Sequence, residues 1–166
     1  MLLTTEALNR RLGADDYTLI DARSKVDHLL GHIPGAVQAG WRDFSDPGSE
    51  IKGLLDPDIA RLEAKLGALG VTNDREVIVY SDPPEYWGAE ARIVWMLMYL
   101  GHGRTAVLDG GWPKWKGEGR PIERGIVRAK PEVFRANPSG SLLIGKKEVS
   151  AGISNGAPPF RLLDAR

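Results

Sequence analysis

The sequence predicts an α/β fold, a central and mostly parallel sheet with helices on both faces. Three short runs carry that prediction: Tyr17–Asp21, Glu76–Tyr80 and Thr105–Leu108 are apolar along most of their length, as strands covered on both faces are. They alternate with segments of helical period, and strands separated by helices pair in parallel. With 166 residues, 42% of them hydrophobic, the chain can bury one sizeable core.

Taken in order, residues 5–12 read as a short helix capped by Thr4 or Thr5, and Tyr17–Asp21 follows as a buried strand. Gly31, Pro34 and Gly35 mark a turn leading to a short strand near 36–38. Asp56 and Pro57 open the clearest helix, with proline at its first position, Ile59, Leu62, Leu66 and Leu69 on one face, and Gly70 as its stop. The strand Glu76–Tyr80 precedes an apolar helix over 88–100 that Gly101 ends. After the strand Thr105–Leu108, Asp109-Gly-Gly-Trp-Pro113 turns into a short helix through Trp115. From Pro121 the pattern weakens, and Gly, Pro, Lys and Arg dominate to about Gly145, a stretch that reads as a connection.

Composition excludes several functions. Lys+Arg and Asp+Glu are both 22, so there is no cationic excess to neutralise phosphates, and a nucleic-acid partner is not expected. The longest apolar stretch, 93–100, is too short for a bilayer, and the N-terminus lacks the basic-then-apolar pattern of a signal peptide, so the expectation is a cytoplasmic protein without membrane attachment. Zero cysteines remove disulfides, thiolate metal sites and thiol nucleophiles together. With three histidines, no metal or cofactor is expected.

One repeat is visible at long range. Tyr17-Thr-Leu-Ile-Asp-Ala-Arg23 and Phe160-Arg-Leu-Leu-Asp-Ala-Arg166 align without gaps, and Thr5-Glu6-Ala7 and Lys147-Glu148-Val149 lie at nearly the same distance upstream of each copy. The organisation read from this is a first domain over 1–122, a linker over 123–145 and the start of a second, incomplete repeat over 146–166, in which 160–164 would be a strand without its own sheet.

Several motifs stand in a fixed order: Leu19-Ile-Asp-Ala-Arg23, Gly31-His-Ile-Pro-Gly-Ala36, Val77-Ile-Val-Tyr80, Ala91-Arg92 with Trp95, Leu100-Gly-His102, and Val107-Leu-Asp-Gly-Gly-Trp112 with Trp115. In order and spacing the sequence resembles the rhodanese family, specifically the first domain of tandem thiosulfate and 3-mercaptopyruvate sulfurtransferases. The residues themselves have scaffold readings. Asp21 can accept backbone N–H groups and pair with Arg23; Gly31 and Gly35 supply φ freedom around Pro34; Gly110 and Gly111 permit a tight strand-to-helix turn. Asp21, Arg23, His32, Gly35, Arg92, Asp109, Gly110 and Gly111 are therefore expected to be structural.

The resemblance implies that chemistry would sit just after the central strand, where active members carry a Cys whose sulfur is ringed by backbone N–H groups. Here Ser81 takes that place, in the loop Ser81-Asp-Pro-Pro-Glu-Tyr-Trp87. A hydroxyl does not hold sulfane sulfur, Pro83 and Pro84 have no N–H to offer, and Asp82 and Glu85 add charge that repels anionic donors. No catalytic residue is expected in this chain. A serine hydrolase would need a base within reach, and Tyr-Ser-Asp is not a nucleophile elbow.

His28 and His32 have i, i+4 spacing, but Gly31 and Pro34 break the helix, so the expectation is that they do not share a face and that His32 is a satisfied turn histidine. Trp95, Met96, Met98 and Tyr99 read as core. By resemblance, Arg166 would clamp an anionic donor only in a longer parent protein. Two functions follow: a non-catalytic module supporting a Cys-bearing second rhodanese domain, in the same chain or another, or a stand-alone inactive binding or regulatory module.

Overall fold

The computed structural model describes residues 1–83, 85–86, 88–154 and 160–163. Five parallel strands, β1 (Leu2–Leu3), β2 (Tyr17–Asp21), β3 (Val37–Gln38), β4 (Glu76–Tyr80) and β5 (Thr105–Leu108), lie in the order β1-β5-β4-β2-β3. The α/β expectation therefore holds, with a sheet parallel throughout. β1 was not expected: two residues are too few for a period, and its place is set by pairing with β5.

Around it stand α1 (Thr5–Arg10), α2 (Lys25–Leu30), α3 (Ile59–Ala68), α4 (Ala89–Tyr99), α5 (Gly111–Gly117) and α6 (Lys146–Ser154). In register, Leu19 lies beside Ile78 and Ile20 beside Val79, so alternate residues feed opposite faces. Ile20, Val77 and Val79 pack with Leu62 and Leu66 of α3 and Ile93, Met96 and Leu97 of α4. Leu19, Ile78, Tyr80, Ala106 and Leu108 pack with Leu8 of α1 and Trp112 and Trp115 of α5. No described helix is long and apolar enough to cross a membrane.

Three local expectations are corrected. Pro57 is not the first residue of α3; the Asp58 side chain accepts the Arg61 N–H as the cap and the helix starts at Ile59, while Asp56 holds the Asp58 N–H from outside it. Gly31 has φ 168, extended backbone open to any residue, whereas Gly35 has φ 77. Residues 160–163 contain no strand; a strand needs a partner, and none is formed with these residues.

Residues 123–139 carry no helix or strand yet are laid along the body as a strap. His32 and Glu123 exchange both backbone hydrogen bonds at 2.9 Å, Glu132 donates to the Gly67 carbonyl at 2.9 Å, and Asn137 to Leu100 at 2.8 Å. Phe134 is buried in the core. A Cβ on Gly67 would stand 2.5 Å from the Glu132 carbonyl oxygen, and one on Gly101 would stand 2.6 Å from that of Asn137, so two glycines make room for the strap.

Candidate functional site

In an open parallel sheet the chemical end is the one formed by the carboxyl ends of the strands, above all where the strand order reverses. Here β4 sits centrally between β5 and β2, and the residue that leaves it is Ser81. Ser81 is buried; its hydroxyl donates to the Glu90 carboxylate on the first turn of α4, and its carbonyl accepts the Trp112 N–H at 2.8 Å. Beside it is a cavity of about 100 Å³ lined by Leu2, Pro83, Glu90, Asp109, Gly110 and Gly111 among others. Gly110 and Gly111 both have positive φ, 73 and 52, and a Cβ on Gly111 would run into the Ser81 carbonyl oxygen.

The loop after Ser81 carries negative charge. Burial pushes the Asp82 carboxyl above its ordinary range; Arg23 opposes the shift, and Glu85, Asp27 and Asp21 add to it. Asp27 is held below its ordinary range by hydrogen bonds from Ser24 and from the Tyr86 hydroxyl. Tyr86 donates its N–H to the Asp82 carbonyl at 3.2 Å, closing the loop on itself. Pro84 and Trp87 lie outside the described residues.

Asp21 ends β2 beside this loop. Its carboxylate receives Arg23 through Nε at 2.9 Å and Nη2 at 2.7 Å, the Arg23 backbone N–H at 3.1 Å, and stands 3.1 Å from His28 Nδ1. Burial opposes its ionisation, yet the bonds to His28 and Arg23 prevail and hold it below the usual carboxylate range. Arg23 also donates to the Gly31 carbonyl at 2.7 Å and lies 4.3 Å from the Trp112 ring centroid, so the pair knits β2 to the turn and to α5. Beneath it the Tyr80 hydroxyl accepts the Ile33 N–H, and burial pushes that phenol well above its ordinary value.

The two histidines correct the sequence expectation. His28 and His32 do share a face: their rings stack at 3.8 Å with an interplanar angle of 7°. α2 runs through Leu30, and His32 Nδ1 meets the His28 carbonyl at 2.7 Å, which folds the ring back over its neighbour. Nor is His32 fully satisfied, since its Nε2 and that of His28 are buried without a hydrogen-bond partner; Glu123 Oε2 stands 3.7 Å from His32 Nε2. Among the described residues no group of three potential ligands could hold a metal, and no histidine is hydrogen-bonded to Ser81.

Of the other expected site residues, Asp109 forms a half-exposed ion pair with Lys114 at 2.7 Å, and Arg92 lies exposed over the Trp41 ring at 5.1 Å. Met96 is core, but Met98 is exposed and Trp95 and Tyr99 are only half-buried, a correction to the reading of all four as core. Arg166 lies outside the described residues. Sequence reasoning places Asp27 beside the two histidines and Tyr86 in the loop but finds neither the hydrogen bond between them nor Glu90; Ser24 three residues before Asp27 is a legible cap pattern.

Chemically, the end of β4 presents a buried hydroxyl tied to a carboxylate, with acids around it. It has no thiol. A family model described as Rhodanese-like domain matches residues 4–118. The chain is 35% identical to a probable 3-mercaptopyruvate sulfurtransferase of Pseudomonas aeruginosa, over 99% of this chain and 61% of that protein. It is 30% identical to the thiosulfate sulfurtransferase of Bos taurus, over 95% of this chain and 52% of that protein. The 3-mercaptopyruvate sulfotransferase SseA of Escherichia coli superposes with a TM-score of 0.82 at 25% identity, over 93% of this chain and 62% of SseA. The chain thus spans about half to three-fifths of the length of these relatives.

Proposed function

The chain belongs to the rhodanese family, and we propose that it is a non-catalytic rhodanese domain which supports sulfane-sulfur transfer by a Cys-bearing second domain of a thiosulfate/3-mercaptopyruvate-type sulfurtransferase. One observation carries this reading: the residue leaving the central strand is a buried serine bonded to Glu90, in a chain without cysteine. A persulfide needs a thiolate and converging N–H donors. Ser81 supplies no sulfur, Pro83 no N–H, and the Glu90 carboxylate stands on the Ser81 side chain, where an anion would have to sit.

The repeat beginning at 146 supports a tandem arrangement, since α6 stands where α1 stands in the first copy. In this reading 1–122 is the inactive domain, 123–145 the linker and 146–166 the opening of the second unit, where Arg166 would serve as donor clamp. The cytoplasm, where thiols stay reduced, is the compartment proposed. To test the reading, the chain is joined to a Cys-bearing second unit, treated with thiosulfate and mapped by peptide mass. Sulfur should appear on the second unit alone, and a sulfur-loaded peptide from within 1–166 would overturn the proposal.

A further inference from the structure

Two buried histidines stand under the start of the strap and take no part in the site at the end of β4. The rings of His28 and His32 stack at 3.8 Å, 7° from parallel. What each ring touches places its proton: His28 Nδ1 faces the Asp21 carboxylate at 3.1 Å and His32 Nδ1 the His28 carbonyl at 2.7 Å, so both Nδ1 atoms donate. In the neutral pair both lone pairs are therefore on Nε2, and both of those atoms are buried without a hydrogen-bond partner. Any further proton has to go there.

The two rings have different means of holding that proton. His32 Nε2 looks across 3.7 Å to Glu123 Oε2 on the strap, so a charge on His32 is answered by a carboxylate. His28 has no second acceptor. The Asp21 oxygen that serves its Nδ1 already takes the Arg23 guanidinium at 2.7 Å, and Lys25 lines the same cavity as His28, so cations flank it from the turn after β2 and from α2 itself. Asp27 is committed to Ser24 and Tyr86, the Tyr80 hydroxyl accepts the Ile33 N–H, and Arg124 donates to the Leu30 carbonyl. Among the described residues no carboxylate other than Asp21 and Glu123 forms an ion pair with either ring. The strap starts on this pair: besides the backbone bonds between His32 and Glu123, Gly35 donates to Glu123 Oε2 at 2.8 Å and Gly125 to the Leu29 carbonyl at 3.1 Å.

We propose that the stacked pair is an acid-sensitive latch on the start of the strap, closed while at most one ring is charged and opened when both are. One proton on His32 draws on Glu123. A second, on His28, meets no acceptor and sets two like charges 3.8 Å apart in a buried place, where repulsion is weakly screened. Splitting the stack returns both rings to water and frees residues 122–125 from 29–35. The open form then binds more protons than the closed one, so the closed form is favoured at high pH and lost as the pH falls.

The test is native-state hydrogen exchange of the full chain at about pH 8 and about pH 5, the range over which histidine ordinarily changes charge, with rates corrected for the intrinsic effect of pH. Protection of the amides of His32, Gly35, Glu123 and Gly125 should fall by roughly tenfold or more in acid, while Glu132 and Asn137, bonded farther along the strap, keep theirs. His28→Gln and His32→Gln each leave a single chargeable ring and should abolish the difference. Equal protection of the first group at both pH values would overturn the proposal. So would an equal loss at Glu132 and Asn137, which marks a general softening in acid, or a loss that persists in both variants. Should the variants fail to fold, imidazole nitrogen NMR of the parent decides: opening must coincide with a proton on both Nε2 atoms, and a strap that opens with either ring neutral, or stays closed with both charged, contradicts the latch.

Discussion

Ser81 and Gly111 are in backbone contact: the turn after β5 presses Gly111 against the Ser81 carbonyl, which the neighbouring Trp112 N–H caps at 2.8 Å. Side chains are excluded there twice, by φ 52 and by the approach itself. Gly111→Ala should therefore lose about 1–3 kcal/mol from backbone strain alone, with the clash adding to it. Urea unfolding measures the loss, and a variant as stable as the parent would show that the turn is not under this constraint.

The Asp21 to Arg23 pair predicts a pH signature. Asp21→Asn leaves Arg23 buried without its carboxylate, a change that costs about 3–5 kcal/mol. Because the native Asp21 value is lowered, its contribution is fully present above the unfolded carboxylate value near pH ~4 and disappears as the pH falls through the lower native value. Stability of parent and variant measured from neutral pH into acid should converge only below about pH 4. A gap that is constant or widens in acid would contradict this assignment.

Phe134 reports whether the strap is part of the fold. It lies in the core beside His102, at 6.0 Å between ring centroids, although the family match ends at residue 118. Phe134→Ala should cost about 3–5 kcal/mol, read as a fall in Tm. A loss under about 1 kcal/mol would mean that the strap rests on the domain without stabilising it.

The sequence was legible where one kind of interaction dominated. Strands β2, β4 and β5 are continuous apolar runs because both faces are covered, and the stop of α3 is written in Gly70. β1 was not legible, because Leu2 and Leu3 owe their conformation to β5. The strap looks like a plain connection in the sequence because its anchors are backbone groups meeting Gly67 and Leu100, which leave no period. Ser81 could be picked out through the resemblance, as the residue that stands where active members carry their Cys. Its partner Glu90 could not, since the seven residues 82–88 decide which α4 side chain returns to it. The stacked histidines were lost for a similar reason: Gly31 ends α2 without turning His32 away.

Ser81→Cys should not create a sulfurtransferase. The thiol would be buried against the Glu90 carboxylate, which disfavours the thiolate, and Pro83 offers no N–H. Persulfide formation is followed by intact mass after thiosulfate treatment. A variant that loads sulfur stoichiometrically would show that the loop can still form an anion cradle.

The most direct measurement is thiocyanate formation from thiosulfate and cyanide by the purified chain, which has no cysteine and a hydroxyl at the end of β4. The account predicts a rate equal to that of the protein-free mixture. Turnover above that rate, scaling with the amount of chain added, would contradict it.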